Sequence, residues 1–184
     1  MRRFRRTAYV AILLALSTAF ALGGLTGCSN DAPSSMSPED LGFQEVEVPA
    51  PDFTLDTLDG AQVSLSAMKG TPVLINFWAL KCPPCREEMP FLDAAAAQYN
   101  GQIVVMAIDI GDSQQGVADY FGDATLSMVV PLDMQGLAAA NYSVGYTPTT
   151  FLVDADGVVR YVKVGPFANV EQVSAAIELV LPGA

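Results

Sequence analysis

The stretch Pro72-Val73-Leu74-Ile75-Asn76-Phe77-Trp78 constrains the chain most. Asn76 is its one polar side chain, so a strand there is apolar on both faces and has to be covered on both, as in the middle of a layered sheet. The flanking segments alternate accordingly. Residues 53–58 and 61–65 read as a hairpin around Asp59-Gly60, a strong turn pair. A helix is expected from Pro83 to about Tyr99, with Ala94–Ala97 as strong formers and Asn100-Gly101 as its stop. Then follow a strand over 103–110, a helix near 114–121, a short strand at 128–131 and a helix near 136–142. A second hairpin joins 149–153 to 158–164 around Asp154–Gly157, and a helix over 170–181 comes last. The pattern is α/β, and about 130 residues of it can bury a real core.

The amino-terminal part is a different object. Arg2, Arg3, Arg5 and Arg6 supply four of the nine basic residues of the 184-residue chain, whereas its first acid is Asp31. Residues 8–25 are uncharged and mostly apolar, which gives the basic and hydrophobic regions of an export signal or, equally by length, an uncleaved membrane helix. Leu25-Thr26-Gly27-Cys28 resembles the bacterial lipobox, in which cleavage falls before a lipid-modified cysteine. The expectation is a lipoprotein signal peptide over 1–27, lipidation at Cys28, and a chain held at the outer face of the cytoplasmic membrane, an outcome shared with the plain anchor. Residues 28–50 are rich in Ser, Pro and acids and read as a flexible tether. About 20 such residues span on the order of 25 Å. The domain is then expected over 51–184.

Composition removes whole classes of chemistry. The chain has no histidine, which excludes a Ser-His-Asp triad, a Cys-His pair and His-ligated metal. A net charge of −11 argues against nucleic acid as a partner. Asp154-x-Asp156-Gly157 lacks the spacing and closing Glu of a calcium loop and is a turn.

The remaining chemistry lies at Cys82-Pro83-Pro84-Cys85, between the apolar strand and the helix after it. Prolines in a first helical turn sacrifice no hydrogen bond. Cysteines three apart at a helix start have their sulfurs on one side, within reach of a disulfide. The helix terminus favours an anion at Cys82 by up to about 2 kcal/mol, which brings a thiol of reference pKa about 8.5 toward neutrality. Cys82 is thus the candidate attacking thiolate and Cys85 the resolving thiol. A structural disulfide over so short a loop would be an inefficient staple. Zinc would need two further ligands, c-type haem a His where Arg86 stands, and a two-thiolate Cu(I) site stays open.

The segment Asn76-Phe77-Trp78-Ala79 through Cys82-Pro-Pro-Cys85-Arg86-Glu87-Glu88-Met89-Pro90 resembles the thioredoxin superfamily, specifically its membrane-tethered TlpA/ResA-like (DsbE-like) branch. Ala50-Pro51-Asp52-Phe53 and Gly145-Tyr146-Thr147-Pro148-Thr149-Thr150-Phe151 match it too, in the family's order. The resemblance implies a thioredoxin-like fold, a central mixed β-sheet flanked by helices with an N-terminal β-hairpin and an inserted helix–strand element. It implies that Pro148 is a cis-proline beside the dithiol, that Thr147 pairs with substrate backbone, and that Glu88 tunes the dithiol. Trp78 is expected to wall the active-site surface, and Pro90 to kink the long helix.

Two departures from the family pattern bear on redox tuning. Asn76 stands where plain thioredoxin has a buried Asp, which moves the proton acceptor elsewhere, Glu88 being the candidate. Lys81 stands where an aromatic residue commonly precedes the first cysteine, and a cation there would favour the thiolate and a more oxidising couple. The resulting expectation is an extracytoplasmic thiol-disulfide oxidoreductase without cofactor or metal, a monomer, reducing protein disulfides, apocytochromes c among them, with electrons from a membrane thiol transporter. The alternatives are an oxidase of exported proteins and, from another class, a Cu(I) chaperone.

Overall fold

A computed structural model describes residues 36–182. The leader expected over 1–27 and Cys28 lie outside the described residues. The apolar stretch forms β4 (Val73–Trp78), buried at every position. It pairs in parallel with β5 (Val104–Ile110) and antiparallel with β7 (Thr149–Val153). On one side β5 takes β6 (Leu132–Asp133) in parallel. On the other, β7 pairs antiparallel with β8 (Val158–Val164), and β8 with β1 (Phe43–Pro49). The resulting mixed sheet has the order β1-β8-β7-β4-β5-β6, beside a separate hairpin of β2 (Thr54–Asp56) and β3 (Gln62–Ser64).

Alternation along β4 divides the interior in two. Leu74 and Trp78 face the side covered by α1 (Pro83–Gln98), α2 (Gln114–Phe121) and α4 (Val170–Glu178), where Leu92, Val117 and Ile177 join them. Val73, Ile75 and Phe77 face the hairpin and α3 (Leu137–Asn141), against Phe53, Val63, Ala138 and Tyr142. Fully burying each of the larger side chains contributes about 1.5–3 kcal/mol, so both cores are substantial. Asn76 belongs to the α1 side by the same parity, which places an amide inside an apolar layer.

Pro90 lies within α1 and has no N–H to offer the carbonyl four residues back, that of Arg86. The Tyr120 hydroxyl of α2 donates to that oxygen at 3.1 Å. Asp93, further along α1, accepts from the Ser127 and Met128 backbone at 2.6 and 3.1 Å. The inserted helix–strand element is thereby fastened to the helix that carries the cysteines.

Two expectations need correction. The tether does not extend to residue 50, because residues 43–49 are β1, and Leu41 and Phe43 are buried in the α1-side core. An edge strand needs few inward side chains, so its exposed Glu45, Glu47 and Val48 look like linker in sequence. Second, the short strand expected at 128–131 is displaced to β6; Val129 and Pro131 make only isolated bridges, to Met106 and Thr57. Proline at 131 supplies no ladder N–H, which interrupts the pairing. Among the described residues, no helix is long and apolar enough to cross a membrane.

Candidate active site

β4 ends at Trp78, and the chain turns through Ala79 to Lys81 into α1. Two bonds set this turn: Leu80 N–H donates to Asp112 Oδ2 at 2.7 Å, and Cys82 N–H to Ala79 O at 3.0 Å. Cys82 is the N-cap of α1, with Pro83 and Pro84 filling the first two positions and the Cys85 N–H directed at Cys82 Sγ at 3.3 Å. That donor and the helix terminus both favour negative charge on Cys82. Cys82 and Cys85 are joined as a disulfide with Cα atoms 5.3 Å apart. The two sulfurs differ in access. Cys82 retains 8% exposure and Cys85 none, so an incoming thiol or disulfide meets Cys82.

The Thr147–Pro148 bond is cis, and the Thr147 carbonyl oxygen lies 3.5 Å from Cys82 Sγ. In the disulfide that sulfur has no proton to donate; as a thiol it does. The Thr147 N–H has no hydrogen-bond partner among the described residues, so a peptide edge is open beside the outer cysteine.

Below the disulfide lies Glu88, one turn of α1 beyond Cys85 and wholly buried. Its Oε1 accepts from Asn76 Nδ2 at 2.8 Å and its Oε2 from Phe167 N–H at 2.8 Å. Burial pushes its carboxyl up to about 7, against the opposing pull of Phe167, Asn76 and Lys163. Both titration states are therefore populated near neutral pH. Asn76 also donates to Thr150 Oγ1 at 3.1 Å and has no proton-accepting nitrogen, so it orients Glu88 and leaves the basic role to the carboxylate. A second buried acid, Asp109, accepts from Asp112 N–H at 3.0 Å, and burial raises it as well.

Of the sequence-derived candidates, the structure brings together Cys82, Cys85, Asn76, Glu88, Thr147 and Pro148. Lys81 is exposed beside Cys82 and has no hydrogen bond or ion pair among the described residues. Trp78 does not wall the surface. It is fully buried, its indole N–H donates to Ala107 O at 3.3 Å, and its ring packs on Tyr120 and Phe121. The physical reason is parity: position 78 points with Leu74 into the core beneath α2, and an indole there finds a strand carbonyl as partner. Sequence reasoning missed Thr150, Phe167, Asp112 and Lys163. The one local signal was a lysine within Val158–Val164, an otherwise largely apolar strand.

Residues 45–177 match the Redoxin family. The Thioredoxin-like protein YneN of Bacillus subtilis is 36% identical over 138 residues, which cover 73% of this chain and 80% of that protein. The Thiol-disulfide oxidoreductase ResA of Geobacillus kaustophilus is 32% identical over 134 residues, 72% of this chain and 76% of the relative. Among solved structures, a thiol:disulfide interchange protein of the thioredoxin family from Chlorobium tepidum superposes with a TM-score of 0.65 at 26% identity, covering 74% of this chain and 98% of that one.

Proposed function

The chain belongs to the Redoxin family, among its ResA-like thiol-disulfide oxidoreductases, and we propose that it reduces protein disulfides outside the cytoplasmic membrane through Cys82 and Cys85. The observation that carries this reading is the asymmetry of the pair. The outer sulfur sits at a helix N-cap beside an open peptide edge, and the inner one is buried one turn from a carboxyl poised near neutrality.

In the first step the Cys82 thiolate attacks a substrate disulfide; a Cys82–substrate bond forms, the substrate S–S bond breaks, and one substrate thiolate leaves. Cys85 then gives its proton to the Glu88 carboxylate and attacks Cys82 Sγ, which releases the second substrate thiolate and closes Cys82–Cys85. Two electrons pass to the substrate. Regeneration reverses the sequence, with electrons from a membrane thiol carrier.

A polypeptide substrate fits the surroundings. Four exposed large apolar side chains, Met134, Leu137, Tyr146 and Val164, lie in or beside the loops at the end of the sheet where β4 delivers the cysteines. The Thr147 edge offers both an N–H and a C=O to an extended chain. Apocytochromes c, with paired cysteines that have to be reduced before haem attachment, are the proposed physiological class. The basic and apolar leader and Leu25-Thr26-Gly27-Cys28 underlie the proposed lipid anchor and export.

The deciding measurement is the reduction potential of Cys82–Cys85, equilibrated against glutathione and dithiothreitol buffers. A reductase is expected at about −250 mV or below, whereas about −120 mV would reassign the chain as an oxidase of exported thiols, with Lys81 as the cause to test. In parallel, Cys85→Ser should accumulate a mixed disulfide through Cys82 that dithiothreitol dissolves.

A further inference from the structure

β8 carries a lysine on its inward face, and strand register fixes what that lysine meets. Lys163 lies opposite Phe43 on β1 and Thr150 on β7, and Thr150 lies opposite Asn76 on β4. Directly opposed residues share a sheet face, so Lys163, Thr150 and Asn76 form a polar row across three neighbouring strands on the side covered by α1. Asn76 joins that row to Glu88, and Lys163 ends it.

The ammonium group is held in place from two directions. Its Nζ donates to the Leu41 carbonyl at 2.7 Å and sits 5.6 Å from the centre of the Phe167 ring, the residue whose N–H also holds Glu88. Gly42 favours the first contact: it adopts φ +77°, a conformation L side chains rarely take, and a Cβ there would stand 3.2 Å from Lys163 Nζ, which would have to give by a few tenths of an ångström. Around Glu88 stand Cys85 on the same helix, the Asn76 amide from β4, the Phe167 N–H from the loop before α4 and Lys163 from β8, with the Thr150 hydroxyl of β7 tied in through Asn76. Lys163 is the one cation among these groups. Burial raises Glu88 and lowers Lys163, and each draws the other back toward its charged form.

We propose that Lys163 is a positioning residue of the redox centre: held by the Leu41 carbonyl and the Phe167 ring, it sets the charge environment in which Glu88 exchanges a proton with Cys85, and so makes the amino-terminal turn of residues 37–42 a working part of the site. The inference rests on the dithiol reading given above. It gives a role to a half-buried lysine on the inward face of β8, although its anchor is a backbone carbonyl and not a carboxylate within ion-pair distance.

The test uses the full chain in detergent, oxidised and reduced, with Glu88 titrated through its carboxyl carbon by NMR and the potential of Cys82–Cys85 followed against pH. Lys163→Met and Lys163→Gln should each move the Glu88 midpoint upward by about 0.5–1 pH unit, a three- to tenfold rise in its protonated-to-ionised ratio at fixed pH, with the bend in the potential moving alongside. Lys163→Arg, which keeps the charge, should hold both near their wild-type positions. The Gln variant retains a donor for Leu41, so it separates charge from anchoring and stands in should Met disturb folding. An unmoved Glu88 midpoint in the Met or Gln variant overturns the proposal. A wild-type disulfide that exchanges with neither glutathione nor dithiothreitol defeats the dithiol reading instead, and the proposal with it.

Discussion

A carboxyl with no exposed surface, as at Glu88, binds its proton more tightly in the folded chain than in the unfolded one. The sign of its effect on stability follows. Its contribution is complete below its ordinary value of 4.5 and is lost as the pH rises to about 7, by at most about 3 kcal/mol. Asp109 is raised by burial too and acts in the same direction. The oxidised protein should therefore resist urea better at pH 5 than at pH 8. Glu88→Gln should remove Glu88's share of that slope and leave Asp109's, while slowing release of the mixed disulfide at pH 7. An E88Q slope equal to that of wild type would mean that Glu88 stays ionised across the range. At this scale the cysteines, Glu88, Asn76 and Pro148 were legible because they lie in or beside short motifs that carry their chemistry. Lys163 was not, because its meaning comes from cross-strand register with Thr150 and Asn76, residues brought together by topology rather than by sequence spacing.

Elements were legible where periodicity spoke and misread where it was weak. β4, α1 and the two hairpins follow from apolar runs, caps and turn pairs, and the observed bounds agree to within a few residues. β1 was read as tether because at an edge Phe43 alone is fully buried, and its glutamates resemble solvated linker. The inserted helix was placed correctly, but its service to α1 was invisible: the Tyr120 hydroxyl supplies the donor that Pro90 withholds from Arg86 O. This predicts a coupled pair. Tyr120→Phe alone should destabilise by about 0.5–1.5 kcal/mol, the usual net worth of one hydrogen bond. In a Pro90→Ala background, where an N–H returns to the Arg86 carbonyl, the same change should cost distinctly less. A double-mutant cycle by chemical denaturation reads the difference, and strict additivity would show that the hydroxyl serves some other purpose.

On the scale of the whole molecule, net charge and the placement of exposed apolar side chains both bear on substrate encounter. Beyond residue 27 five basic residues face 20 acidic ones, whereas Met134, Leu137, Tyr146 and Val164 gather at the end of the sheet that bears Cys82. Composition announced the acidity, but only the chain's topology revealed that these apolar side chains share one end of the sheet. Contact at that end is short-ranged, while the field of the acidic body extends about 30 Å at 0.01 M salt and about 10 Å at 0.1 M. The field therefore acts before contact, on the rate of encounter, and it favours cationic partners. Two disulfide-bonded peptides of equal length, one flanked by lysines and one by aspartates, separate the two effects. The lysine peptide should be reduced several-fold to about tenfold faster at 0.01 M than at 0.5 M salt, with the aspartate peptide showing the opposite trend. At high salt the two rates should converge on a common value set by the apolar end and the dithiol. Identical salt responses of the two peptides would mean that the acidic surface serves solubility alone and that substrate choice resides in the residues around Cys82.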